Sequence, residues 1–130
     1  MRRRGWPLLL CALAPLAAVA QGAAQGDVQR GAALAASRSE GLCVLCHALP
    51  GIDARLAGNI GPDLAGVGGR LTPEQLRQRL LAPQTFNPDT VMPRYGRSDG
   101  LVQVAASRHG QPLLDGQQID DVVAYLASLK

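Results

Sequence analysis

Cys43-Val44-Leu45-Cys46-His47 is the stretch with the most chemistry in it. Two cysteines three apart, followed directly by a histidine, make the attachment pattern for a c-type haem. On one helical turn the two thiols face the same side, so both can add to the vinyl groups of a single porphyrin. His47 comes next, and its imidazole can reach the iron as proximal ligand. Paired cysteines have three other uses: a zinc site, a thioredoxin-like dithiol and a structural disulfide. Zinc needs further ligands in a compact knuckle, and the other histidine outside the pattern, His109, is far away along the chain. A thioredoxin-like pair should follow a strand and open a long helix inside a βαβ pattern, which the sequence does not show.

An iron held by His47 has a sixth position to fill. Met92 sits in Val91-Met92-Pro93, on a stretch interrupted by Pro88, Pro93, Gly96 and Gly100. A single methionine is usually a filler of core gaps. On a proline-stiffened loop it is also a way to bring a thioether to haem iron from the side opposite the histidine. Pro88 and Pro93 lower the entropy cost of holding that loop. Met92 is therefore the expected sixth ligand. His109, followed by Gly110, reads as an exposed turn histidine, with service as a second axial ligand the alternative.

The first twenty residues read as an export signal. Arg2, Arg3 and Arg4 form a basic start, Leu8 to Val19 is apolar apart from Pro15, and Ala18-Val19-Ala20 is a small-x-small cleavage site. The apolar run is short and alanine-rich for a membrane span. Cys11 lies inside it without the small residues of a lipid-attachment signal before it, and the arginines lack the rest of a twin-arginine signal. The expected organisation is a cleaved signal peptide over 1–20, a flexible mature start over 21–26, and one domain over 27–130, delivered to the periplasm without a membrane anchor. Of 13 Lys+Arg and 10 Asp+Glu in 130 residues, three arginines leave with the signal, so the mature chain carries 10 of each. The basic character belongs to the leader, and nothing in it supports nucleic-acid binding.

The elements that must position these residues are helical. Asp27 caps an alanine-rich helix from Val28 to Arg38, with Gly31 and Ala35 four apart on one face, where a second helix could approach closely. Pro50-Gly51 stops the short helix that carries the cysteines. Residues 52–70 hold six glycines and prolines and read as an irregular loop, including Gly61-Pro62-Asp63-Leu64-Ala65-Gly66. Thr72, Pro73 and Gln75 start a second helix, with Leu76, Leu80 and Leu81 as its apolar stripe and Arg77 and Arg79 solvated. Asp115 and Gln118 open the last helix, whose apolar face is Ile119, Val122, Val123, Leu126 and Leu129 with Tyr125 beside it. Lys130 suits the dipole at its end. No comparable strand pattern appears, so the expected class is all-α.

Taken together, the small-residue first helix, Cys43-x-x-Cys46-His47, the Gly61-Pro62 loop, Met92-Pro93 and a last helix ending Val123-Ala124-Tyr125-Leu126 resemble a class I cytochrome c over the whole mature chain. That resemblance implies first and last helices crossing at small and aromatic residues, matched here by Gly31 and Tyr125. It also implies that the Pro62 carbonyl accepts the ring N–H of the proximal histidine. A narrower resemblance, carried by the run from Gly58 to Gly68, by Phe86-Asn87-Pro88-Asp89-Thr90-Val91-Met92-Pro93-Arg94-Tyr95 and by Asp120 to Leu126, is to the SoxX family. These are the small monohaem subunits of SoxAX complexes in bacterial sulfur oxidation. It implies one covalent haem c anchored by Cys43 and Cys46 and ligated by His47 and Met92. It also implies a SoxA partner bearing the catalytic haem, a SoxYZ carrier whose cysteine is joined oxidatively to thiosulfate, and a soluble cytochrome c as electron acceptor. The chain would then serve an S-thiosulfotransferase without holding its catalytic residues. A free-standing periplasmic electron carrier is the alternative that the fold equally allows. An open-iron haem protein, with Met92 off the metal, is a third reading.

Overall fold

The computed structural model describes residues 25–130. The expected signal segment 1–20 and residues 21–24 of the expected flexible start lie outside them. Four α-helices run in order: α1 (Val28–Ala36), α2 (Val67–Arg70), α3 (Pro73–Leu81) and α4 (Gly116–Ser128). Three 3₁₀ turns (Cys43–Leu45, Pro83–Thr85 and Ala106–Arg108) lie between them, and the described residues contain no strand. None of these helices is long and apolar enough to cross a membrane.

The helix starts follow from the capping side chains. Asp27 accepts from Arg30 N at 2.8 Å. Thr72 and Asp115 each close a capping box, with Gln75 and Gln118 returning the bond to the cap's own N–H. Pro73 occupies the first turn of α3, where a missing N–H costs nothing.

α1 lies across α4, the largest packing contact between elements, and α3 makes the next largest, also on α4. The crossing needs glycine. A Cβ on Gly31 would lie 1.9 Å from the Asp121 carbonyl oxygen and 2.8 Å from Tyr125 Cβ. Ala35, one turn on, is completely buried. Leu34 of α1, Leu76 and Leu80 of α3, and Ile119, Val122, Val123 and Leu126 of α4 build the main core, joined by Val67, Tyr95 and Leu114. Leu81, expected in the α3 stripe, is 39% exposed at the end of the helix, where it borders Gly96. Arg77 and Arg79 are not free on the surface. Arg77 pairs with Asp120 on α4, and the Arg79 guanidinium stacks 4.4 Å above the Phe86 ring.

Two local departures have tertiary causes. The glycine-rich loop ends in α2, a single helical turn containing Gly68 and Gly69. Propensity opposes a helix there. Contact imposes it: a Cβ on Gly68 would lie 2.3 Å from the Ala127 carbonyl, and Gly68 N donates to Leu129 O at 2.8 Å. Lys130 lies beyond α4 and uses its ammonium on Gly68 O at 2.6 Å, rather than on the end of its own helix.

Asp121 is the buried charge of the fold, 2% exposed on the α4 face otherwise made of Ile119, Val122 and Val123. Its Oδ1 accepts from Asp27 N at 2.7 Å, Arg30 Nη2 at 2.9 Å and Gln117 Nε2 at 2.9 Å. Its Oδ2 accepts from Arg30 Nε at 2.7 Å. The carboxylate thus joins α4 to the positive end of α1. The Arg30 bonds hold the Asp121 carboxyl well below the usual carboxylate range, against the opposing effect of burial. A depressed folded value means that the stabilisation is complete above the ordinary carboxyl range and is lost as acid protonates the group. Asp121→Asn should therefore cost about 2 kcal/mol near neutrality. That deficit against the parent should shrink as pH falls below about 4. Denaturant unfolding of the two proteins across that range checks both the size and the sign.

Candidate functional site

The cysteine–histidine turn is built on main-chain bonds. Cys46 N and His47 N both donate to Cys43 O, at 3.1 and 2.9 Å, which closes the turn and carries the helical path on to the histidine. Leu42 enters it with φ 62°, a left-handed backbone unusual for leucine. The chain then turns at Gly51, where φ is 80°, and comes back alongside the motif. Gly58 N donates to Val44 O at 2.8 Å, Gly61 N to Cys46 O at 2.7 Å, and Leu64 N to Ala48 O at 3.1 Å. Three main-chain bonds therefore fix the Gly-Pro loop against the stretch that carries Cys46 and His47.

His47 is half-buried, and its Nδ1 lies 2.6 Å from the Pro62 carbonyl oxygen. A carbonyl only accepts, so Nδ1 carries the proton in this contact. The lone pair is then on Nε2, the nitrogen left for a metal. Gly61 makes room for the ring: a Cβ there would lie 2.3 Å from His47 Cε1 and 2.6 Å from Nδ1. Arg70 secures the same loop from outside, donating to Ala65 O at 2.7 Å and Asp63 O at 3.3 Å.

Both thiols are free, Cys43 buried and Cys46 half-buried, so no disulfide joins them. Burial pushes the Cys43 thiol up, while a contact with the Tyr95 phenol draws it back in part. Tyr95 is 3% exposed, and burial beside Cys43 holds its hydroxyl protonated far above the ordinary tyrosine range. Its own backbone is pinned, with Tyr95 N donating to Leu80 O at 3.0 Å and Tyr95 O accepting from Leu114 N at 3.1 Å. Tyr95 thereby ties the stretch that follows Met92 to α3 and to the segment that leads into α4. Met92 is partly buried and packs against the main core.

The structure thus gathers Cys43, Cys46 and His47 on one turn, with Met92 on a separate segment that packs against the main core. His109 is elsewhere: it is exposed, with Nε2 2.9 Å from Val104 O. Among the described residues no group of three or more His, Cys, Asp or Glu is placed to hold a metal ion, which leaves a zinc site without a ligand set. Two thiols, an imidazole with its Nδ1–H committed, a thioether, and a glycine that clears the ring are a donor set that fits covalent haem. Spacing pointed to the thiols, the imidazole and the thioether, but not to Tyr95 or Arg70. Tyr95 stands in the Phe86–Tyr95 run, but its main-chain partners Leu80 and Leu114 lie outside it, and Arg70 bonds to carbonyls five and seven residues back in its own loop, where no spacing rule marks it.

The comparisons with known proteins cover almost the same span. Residues 28–130 match the family model described as cytochrome c. A chain of the crystal structure of SoxXA from P. pantotrophus is similar at a TM-score of 0.73 and 34% identity, over 82% of this chain and 84% of that one. No curated protein sequence matches the chain significantly.

Two glycine substitutions separate the site from its surroundings. Gly61→Ala should lower stability by about 1–3 kcal/mol, because the new methyl group has to displace the His47 ring or the loop. Gly69→Ala, with nothing within 4 Å of its Cβ, should be neutral or slightly stabilising in a helical turn. Thermal melts of the two variants beside the parent check the contrast.

Proposed function

The chain belongs to the cytochrome c family, and we propose that within it this protein is the electron-accepting subunit of a SoxAX-type complex. Electron carriage by covalently bound haem c is what the family membership states. The finer reading is supported by 34% identity over 82% of the chain to a SoxXA chain, together with the Phe86–Tyr95 run. In this reading the protein works in the periplasm beside a SoxA partner that carries the catalytic haem. It accepts electrons released when thiosulfate is joined to a cysteine of a SoxYZ carrier and passes them to a soluble cytochrome c.

The residues have distinct tasks. Cys43 and Cys46 would hold one haem by two thioether bonds, and His47 Nε2 and Met92 Sδ would supply the donors to its iron. When bound, haem c supplies an iron that takes up and gives up one electron at a time. Pro62 O, by accepting from His47 Nδ1, fixes the ring and raises the basicity of Nε2. Met92 favours the reduced iron, which raises the potential and suits a downhill exit from a lower-potential donor. Gly61 and the three bonds from the 58–64 loop keep the imidazole from turning.

Two experiments test the reading at its two levels. Met92→Ala should leave the haem attached, because both cysteines remain, yet give an altered or high-spin ferric spectrum; a spectrum identical to the parent's would remove Met92 from the iron. An affinity pull-down from thiosulfate-grown cells, followed by haem staining and mass spectrometry, should recover a second, larger c-type haem chain in equal amount. Recovery of this chain alone across growth conditions would overturn the complex and leave a free-standing carrier.

A further inference from the structure

The two sides of the site are held in different ways. On the His47 side, three main-chain bonds secure the loop. The Met92 loop lacks that support and lacks packing at its tip: Pro88, Asp89 and Pro93 are exposed, and Val91 is 76% exposed. Within the loop, Met92 N donates to Thr90 Oγ1 at 3.2 Å. That bond joins residues two apart, so it shapes the loop but moves with it. The bond from outside is different. Gln84 Nε2 donates to Met92 O at 3.2 Å, reaching the ligand's own carbonyl. Gln84 belongs to the Pro83–Thr85 turn, which follows α3 and is anchored by the buried Pro83. Its Oε1 accepts from Arg94 Nε at 2.7 Å. A carbonyl that only accepts on one side and a guanidinium that only donates on the other leave the amide one orientation.

We propose that Gln84, oriented by Arg94, is a positioning residue for Met92: it ties the ligand's backbone to the end of α3 and so keeps the thioether on the iron against competing ligands. The proposal rests on Met92 being the axial ligand. Arg94 and Gln84 grip the loop from the two ends of the Gln84–Arg94 stretch, and Met92 is the residue whose carbonyl lies between them. Loss of the Gln84 donor frees the loop to swing, and the iron's sixth position then opens more often.

Gln84→Glu isolates this role. The carboxylate keeps the length of the side chain and still accepts from Arg94, but it has no donor for the Met92 carbonyl at neutral pH. Titration of the ferric, haem-loaded protein with imidazole should show binding about fivefold tighter than in the parent, the size expected for one lost hydrogen bond. The thioether-to-iron charge-transfer absorption should weaken in parallel. A merely structural role for Gln84 would lower the thermal midpoint and leave imidazole affinity at the parent value, and that result overturns the proposal. Failure of the axial-ligand assignment looks different. Met92→Ala would then bind imidazole as the parent does, the parent would lack the charge-transfer band, and the role of Gln84 would fall with it.

Discussion

At the crossing of α1 and α4 there is no room for a methyl group. Gly31 meets the Asp121 carbonyl oxygen and the base of the Tyr125 side chain, and Ala35 is fully enclosed one turn later. Close approach of two helix backbones lets many small dispersion contacts act together and leaves no void between them. It also brings the start of α1 within reach of the Asp121 side chain, which then accepts from the Asp27 N–H and from the Nε–Nη2 edge of Arg30. One short contact thus sets the distance between the helices, and one carboxylate sets their register. The cysteine turn begins a few residues after α1 ends, so the place where the donors lie is inherited from this crossing.

From there the chain is guided by carbonyls more than by side-chain packing. The stretch from Val44 to Ala48 offers the Val44, Cys46 and Ala48 carbonyls, and the returning loop docks Gly58, Gly61 and Leu64 onto them. Two of those three donors are glycines with close neighbours. A Cβ on Gly58 would lie 2.0 Å from the Leu45 carbonyl oxygen, and one on Gly61 would enter the His47 ring. The glycines let a backbone lie flat on the turn, and that places Pro62 O where it accepts from the imidazole. Tautomer, ring orientation and ligand basicity then follow from ordinary main-chain geometry.

How much of this was legible differs from residue to residue. The three capped helix starts were readable because a cap is a local device: an Asp or Thr and the residue three positions on are enough. The Gly31–Tyr125 contact was legible only through resemblance, since a small residue at helical spacing does not name its partner. The one-turn helix α2 was not legible, because two of its four residues are glycine and its cause lies at Ala127 and Leu129. Asp121 was also hidden. A carboxylate amid apolar helix positions reads as solvated until the partner's free N–H and guanidinium are known. Arg77 and Arg79 read as solvated and Lys130 as a match for its helix dipole, yet each has a specific partner supplied by another element.

The asymmetry between the two donor loops bears on function. Under the proposed ligand set, a histidine held by three main-chain bonds would move little as the iron changed oxidation state, so little reorganisation would be asked of that side. The thioether side is lighter, held by Gln84, by the pinned Tyr95 and by two prolines that reduce the loop's freedom before it closes. A weak, neutral ligand on a pre-stiffened loop gains its occupancy from effective concentration rather than from bond strength. With Met92 as the proposed sixth ligand, the protein would tune that ligand through contacts that never touch the iron. Among the described residues, Gln84 makes the side-chain bond that reaches Met92 from outside its loop.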